Sequence, residues 1–300
     1  MPTAVIFPGQ GTQRPGMGEP WRDHVSWEIV SNAEALLGEN LTQLLLDDAP
    51  EALNTTRGAQ LAVLLTSLMA WEASKGSVEA CAFAGHSLGQ VTALIASNAL
   101  SFDDGIAFAA HRADLTQAAA NARPGRMAAL LGATIEQAEA ACDVAPDACW
   151  IANDNAPGQV VLAGTPEGLE LALAAAKELG VRRTTALDVG GAFHTPLMES
   201  ATNGLTKYLE NTQFNFPSAV IVSNHDGNAY DQPDALTALS ASHVSVPVRW
   251  RTVQSTLAAL GAGTFLQIGD GAMLASLAKR TVPEIVVHTV ANPEDVGILV

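Results

Sequence analysis

Short runs of apolar and β-branched residues alternate with longer stretches patterned for helices along most of the 300-residue chain. Thr3–Phe7 reads as a strand, Ala59–Ala73 as an apolar helix, Ala80–Ala84 as a second strand, and Leu88–Ser97 as a helix that starts directly after it. Runs at Ala219–Val222 and Thr264–Ile268, each followed by a helical pattern, carry the scheme into the last third. Strands buried on both faces read as near-continuous apolar runs, and parallel pairing needs a crossover, usually a helix. The pattern therefore predicts an α/β sheet of mostly parallel strands with helices on both faces.

The middle of the chain follows another order. Met127–Gly132 reads as a strand, Thr134–Cys142 as a helix, Cys149–Ala152 and Gln159–Ala163 as strands, Pro166–Leu179 as a helix and Val181–Leu187 as a strand. This β-α-β-β-α-β succession is the ferredoxin-like arrangement. Arg123-Pro124-Gly125 and Gly190-Gly191 bracket it as hinge signals. The expected organisation is a small domain, 124–188, inserted into a larger α/β domain made of 1–123 and 189–300.

Composition narrows the function classes. Hydrophobic residues make up 48% of the chain and charged residues 15%, enough for a large core. The apolar stretch Leu61–Trp71 is too short to span a bilayer, and Met1–Phe7 has no basic segment ahead of an apolar one, so neither a membrane helix nor a secretory signal is expected. The three cysteines lack metal-ligand spacing and read as buried thiols of a cytoplasmic protein. A net charge of −16, from 15 basic and 31 acidic residues, argues against nucleic-acid binding and makes any arginine beside a nucleophile conspicuous. As a solvated acidic surface, the same charge serves solubility.

Gly85-His86-Ser87-Leu88-Gly89 falls between a predicted strand and a predicted helix. In that context a serine sits on a sharp turn at the strand end. The glycines are expected to tolerate strain there and to leave the hydroxyl open to approach, and the Leu88 N–H is placed to stabilise an oxyanion. An ordinary glycine-rich turn is the plainer alternative, which the strand–turn–helix context disfavours. Among seven histidines, His194 stands out at the end of Val189-Gly190-Gly191-Ala192-Phe193, just before a helix, and His243 is a weaker candidate for the base. His24 and His225 lie in polar stretches, His86 lies inside the turn, and His111 precedes Arg112 on a helix. His288, in the apolar run Ile285–Val290, is expected in the core. Asp188, Asp226 or a carbonyl could orient the histidine, and spacing leaves the three open.

In chain order stand Pro8-Gly9-Gln10-Gly11-Thr12-Gln13, the serine turn, Arg112 at 25 positions beyond the serine, Asn153-Asp154-Asn155-Ala156-Pro157-Gly158-Gln159, and Gly191-Ala192-Phe193-His194. This ordered set resembles the malonyl-CoA:acyl carrier protein transacylase family and the related acyltransferase domains of polyketide synthases, from the first strand to Lys279-Arg280. The resemblance implies an α/β-hydrolase-like large domain with a ferredoxin-like insert. It implies an acyltransferase of fatty-acid or polyketide synthesis that moves a malonyl group from malonyl-CoA to the phosphopantetheine thiol of an acyl carrier protein through a malonyl-serine. By the same resemblance Ser87 is the nucleophile and His194 its base, with the backbone of His243 orienting the imidazole. Gln10 and the Leu88 N–H form the oxyanion hole, Arg112 binds the malonyl carboxylate, and Ala192 and Phe193 form a specificity loop where Phe193 crowds a 2-methyl branch. A monomer with malonyl-CoA as substrate and no bound cofactor or metal is expected.

The chemistry behind Arg112 stands without the resemblance: a guanidinium matches a free carboxylate with two parallel hydrogen bonds. The alternative is a surface ion pair with Asp114 or Asp104. Three positions depart from the family pattern, namely His243 where relatives often carry Gln or Asn, Gln90 in place of Glu, and Gln267-Ile268-Gly269-Asp270-Gly271 in place of Glu-Val-Gly-Pro-Gly. The pairs Arg123 and Arg126, Arg182 and Arg183, Arg249 and Arg251, and Lys279 and Arg280 are candidates for a carrier-docking face, weighed against scattered solubilising charge. A thioester hydrolase would keep Ser87 and His194 but not need Arg112, and a non-catalytic docking scaffold would need none of them.

Overall fold

The computed structural model describes residues 1–46 and 50–299. Its strands are β1 (Thr3–Phe7), β2 (Ala80–Gly85), β3 (Arg126–Leu131), β4 (Cys149–Ala156), β5 (Gln159–Gly164), β6 (Arg183–Ala186), β7 (Val220–Val222), β8 (Ala229–Tyr230), β9 (Thr264–Ile268) and β10 (Val286–Val290). They form a six-stranded sheet in the order β10-β9-β1-β2-β7-β8 and a four-stranded sheet in the order β4-β5-β3-β6. Pairs in the large sheet are parallel except β7 with β8, and pairs in the small sheet are antiparallel. The fold is thus α/β, a mostly parallel central sheet with a separate antiparallel one.

Side-chain alternation explains why the large sheet carries two cores. Val5, Phe7 and Phe83 point to one face, and Ala4, Ile6, Ala82 and Ala84 to the other. The first face packs on the helix Thr56–Ser74, whose residues 58–70 are all buried. A helix that is apolar all round has to be enclosed, and each fully buried Leu or Phe contributes about 1.5–3 kcal/mol. Thr55 caps this helix by accepting from the Gly58 N–H at 2.9 Å.

All four strands of the small sheet lie between residues 126 and 186. Reading 124–188 as a domain inserted between 1–123 and 189–300 is a proposal that this strand membership supports. One face of the small sheet, through Leu130, Val160 and Leu162, packs on its own two helices, at Ala138 and Ala141 on one and at Leu169 and Ala172 on the other. The opposite face, through Met127, Ala129 and Val161, packs on Ala192 and Leu197. The Gly191–His194 segment therefore sits between the two sheets.

Several expectations need correction. His288 is exposed and not a core residue, because β10 is the edge of the large sheet and its Val286 and His288 positions face solvent. β6 is shorter than expected and exposed along its length, whereas β4 continues to Ala156. Cys149 is buried, but Cys81 and Cys142 are only half-buried. Gly125 and Gly191 mark close approaches: a Cβ on Gly125 would lie 2.5 Å from the Ala192 Cβ, and one on Gly191 2.6 Å from the Ala120 Cβ. Among the described residues no helix is long and apolar enough to cross a membrane.

Candidate active site

β2 ends at Gly85, and the helix Gly89–Ala96 begins four residues later. Ser87, between them, has a left-handed backbone with φ 53°, so the strain of the turn falls on the serine itself. The flanking glycines answer to packing. A Cβ on Gly85 would lie 1.9 Å from the Gly89 carbonyl carbon, and one on Gly89 would lie 2.3 Å from the Phe7 carbonyl oxygen. The expectation that they chiefly clear a path to the hydroxyl is replaced by close contact of turn, helix and β1. Among the described residues nothing accepts from the Leu88 N–H, which leaves it available at the helix start.

The Ser87 Oγ is 2.7 Å from His194 Nε2 and accepts from Arg112 Nη2 at 3.1 Å. His194 also has a left-handed backbone, φ 62°, and is 4% exposed. Its Nδ1 faces two carbonyl oxygens, His243 at 2.8 Å and Val246 at 3.2 Å. Carbonyls only accept, so Nδ1 carries the proton and Nε2 is the lone-pair nitrogen turned to the serine. Burial, and then the Arg112 charge, push the His194 pKa down to about 3, which keeps the ring neutral at physiological pH. Among the described residues no carboxylate orients it: Asp188 is exposed, and Asp226 accepts from Asn228 and Tyr230. The carbonyl alternative is the one that the chain adopts.

Arg112, on the helix Phe102–Ala122, is 5% exposed. Its Nη1 donates to Gln60 Oε1 at 2.5 Å, and among the described residues no carboxylate pairs with it. Asp114 pairs instead with Arg57 at 2.6 Å, and Asp104 accepts from Ser101, so the helix-surface ion pair is excluded. Burial lowers the Arg112 pKa to about 10, still well above neutrality. A buried cation without a counter-ion is costly by several kcal/mol. Among the described residues the Arg112 charge is therefore left without a carboxylate partner beside the serine.

Residues 4–298 match the acyl transferase domain family. The malonyl CoA-acyl carrier protein transacylase of Bacillus subtilis strain 168 is 33% identical over 303 residues, covering 99% of this chain and 96% of that one. The Escherichia coli K12 protein of the same name is 32% identical over 299 residues, covering 97% and 96%. The chain belongs to the malonyl CoA-acyl carrier protein transacylase family. Among solved structures, the acyl-carrier-protein S-malonyltransferase of Burkholderia pseudomallei 1710b superposes with a TM-score of 0.95 at 33% identity, covering 99% of both chains. A malonyl-transacylase in complex with a type II polyketide synthase acyl-carrier protein superposes with a TM-score of 0.96 at 30% identity, covering 100% of this chain and 99% of that one.

Within this transacylase family fold, Gln10 is half-buried just after β1, the strand beside β2. A Cβ on its neighbour Gly9 would lie 2.4 Å from the His86 carbonyl oxygen, so that loop runs against the serine turn. Ala192 is fully buried, and Phe193 touches both the core of the large sheet and the inner face of the small one. The Asn153–Gln159 motif ties the sheets together. Asn155 Oδ1 lies 2.9 Å from His86 Nε2, Asp154 pairs with Arg251 at 2.7 Å, and the Asp154 N–H donates to the Val248 carbonyl at 2.9 Å.

Arg251 is thus a structural partner and not part of a free basic face, while Arg123, Arg126, Arg182, Arg183, Arg249, Lys279 and Arg280 are exposed. Asp270, at one of the departures from the family pattern, pairs with Arg14 at 2.6 Å. A cleft of about 460 Å³ opens onto His194 between Trp150 and Ile151 on one side and Pro196, Ser245 and Pro247 on the other. A larger cavity, about 680 Å³ and walled by Trp71, Phe83 and Phe102, lies at the opposite end of β2 and touches none of these residues.

Sequence reading missed Gln60 and Asn224. Gln60 is a polar residue inside the apolar helix, a signal that was available. Asn224 follows β7, and its only sequence signal is a polar residue at a strand end.

Proposed function

We propose that the chain moves a malonyl group from malonyl-CoA to the phosphopantetheine thiol of an acyl carrier protein, through a malonyl ester on Ser87. The observation that carries this reading is the buried Arg112, without a carboxylate partner among the described residues and 3.1 Å from the Ser87 Oγ. A simple thioester hydrolase has no use for that cation, whereas a malonyl group ends in the anion it lacks. Curated relatives carry the name of this activity, and a solved relative is bound to its carrier protein.

The reaction follows from the geometry. His194 Nε2 takes the proton as Ser87 Oγ attacks the thioester carbonyl. The Leu88 N–H and Gln10 stabilise the oxyanion, a single such donor being worth about 3–4 kcal/mol. Collapse breaks the C–S bond, and the imidazolium returns its proton to the departing coenzyme A thiolate. The carrier thiol then attacks the ester with His194 again as base, and Ser87 leaves as its alcohol. Arg112 turns from the serine hydroxyl to the malonyl carboxylate; that pairing offsets the charge that depresses His194, so the bound substrate strengthens the base that acts on it.

Ala192 and Phe193 line the loop that sets acyl size in this reading. The carrier and coenzyme A supply the pantetheine arm, and serine, imidazole and guanidinium suffice for the steps. A monomer acting in the cytoplasm completes the proposal. Intact-protein mass after incubation with malonyl-, acetyl- or methylmalonyl-CoA tests it. A malonyl adduct that disappears in Ser87→Ala and fades in Arg112→Ala is expected. Rapid release of free acid without an adduct would point to a hydrolase, and no turnover at all to a scaffold.

A further inference from the structure

Asn224 has no role in the steps above, yet it is 2% exposed and its whole side-chain amide is spent on the serine turn. Oδ1 accepts from the Ser87 N–H at 2.8 Å. Nδ2 donates to the Gly85 carbonyl and, at 2.6 Å, to Gln90 Oε1. One side chain therefore grips the turn before, at and after the nucleophile. Topology explains the reach. β7 pairs with β2 up to Ala84↔Val222, so the chain leaving β7 runs beside the chain leaving β2.

The same segment also touches the support of the base. The Asn224 carbonyl accepts from the Arg249 N–H at 3.0 Å, and Ser223 Oγ lies 3.1 Å from His243 Nε2. His243 is the residue whose carbonyl holds His194 Nδ1. Ser223 and Asn224 thus join the two halves of the Ser87–His194 pair.

We infer that Asn224 is a positioning residue that holds Ser87 in its left-handed backbone and so sets the Oγ–Nε2 distance. The left-handed conformation is strained for a serine, and it persists only where surrounding bonds over-determine it. Without Asn224 the half-buried Ser87 N–H loses its acceptor, and the turn relaxes toward an extended backbone that carries Oγ away from His194. Asn224 also divides the labour of the two turn amides. With the Ser87 N–H committed to it, only the Leu88 N–H is left for the thioester oxygen. The Gln90 amide completes the clamp, a role that the charge lost relative to the usual Glu does not abolish, because an amide oxygen accepts as well.

This inference rests on Ser87 being the nucleophile. The test is single-turnover acylation by malonyl-CoA in Asn224→Ala and Asn224→Asp, with malonyl-CoA affinity measured calorimetrically after adding Ser87→Ala to each. A displacement on the order of 1 Å costs about 100-fold, so Asn224→Ala should acylate about 100-fold more slowly while affinity changes less than about twofold. Asn224→Asp keeps an acceptor for the Ser87 N–H, and Gln90 can turn its amide to donate to the introduced carboxylate, so about tenfold of the loss should return. A labelling agent such as a fluorophosphonate, which needs no coenzyme A site, should slow in parallel.

Acylation by Asn224→Ala within about threefold of wild type, affinity falling in step with rate, or no recovery in Asn224→Asp would overturn the inference. If Asn224→Ala does not fold, the aspartate variant decides: about tenfold slower with affinity intact supports it, and the wild-type rate overturns it. A wild-type protein that forms no adduct would sink the assignment of Ser87, whereas a wild-type adduct with an unimpaired Asn224→Ala sinks only this inference.

Discussion

Ser87 and His194 are both non-glycine residues with left-handed backbones, at φ 53° and 62°, but the chain supports them by different means. The serine stands on a turn whose strand, glycines and helix all come from Ala80–Ala96, pressed against β1 at Phe7. The histidine stands in a loop with no regular structure of its own. Its Nδ1 and N–H are held by the carbonyls of His243, Val246 and Val244, and its neighbours Ala192 and Phe193 are seated on the small sheet. The proposed nucleophile thus stands on a locally built turn clamped by one remote side chain, Asn224, whereas the proposed base has no local element and rests on remote contacts. Damage to the turn should act on chemistry directly, and damage around the histidine should act through pH and packing.

The largest break in that comparison is His194→Ala. Removing a positioned general base typically costs 10²–10⁴-fold, so acylation of Ser87 by malonyl-CoA in quench-flow should fall by about 10³-fold, with the fold intact. Arg112→Lys comes next and separates binding of the acyl group from attack. Lysine keeps the charge but not the planar fork, and a lost charge-assisted bond is worth about 1.5–3 kcal/mol. Malonyl transfer should therefore fall about 10–100-fold, while transfer of acetyl, which has no carboxylate, falls much less. An equal loss for both acyl groups would show that Arg112 serves the serine and not the substrate.

The same contrast explains what the sequence could disclose. β1, β2 and the serine turn were legible because their signals are local: short apolar runs, two glycines at fixed offsets, a helix start. The β-α-β-β-α-β order of the small sheet was legible for the same reason. The orientation of His194 was not, since backbone carbonyls leave no mark of residue type, and Asn224 looked like any polar residue at a strand end. His288 misled because an apolar run does not distinguish a central strand from an edge strand with one uncovered face. The glycines were found for an incomplete reason: their small size serves the packing of turn on strand, which only the tertiary structure displays.

A third prediction sharpens the comparison through stability. Burial holds His194 and His243 at pKa values of about 3, against an ordinary 6.5, so both fold neutral. Their folded values are depressed, so the unfolded chain binds more protons below pH 6.5, and the stability they allow is present above that pH and lost as pH falls toward 3. Between pH 6.5 and 5.5 the two together should remove about 2 kcal/mol, read as a lower urea midpoint. His86, also held down by burial, adds to the same trend. In His243→Gln the contribution of that ring disappears and the pH slope should become shallower. A slope unchanged by the substitution would mean that His243 takes up its proton without unfolding.

The smallest expected effect bears on the most distinctive feature of the base. A carboxylate behind the histidine would stabilise the imidazolium by charge, whereas carbonyls fix only its tautomer and direction. Asp188 is the nearest acidic residue on the N-terminal side of His194, six positions before it, and it is exposed. Exposed substitutions away from caps and networks change stability by less than about 0.5 kcal/mol. Asp188→Ala should therefore leave single-turnover acylation within about twofold of wild type and the thermal midpoint nearly unmoved. A tenfold loss of acylation would place a carboxylate behind His194 in the working state, and the base would then resemble a charge-supported triad and not the carbonyl-held imidazole seen here.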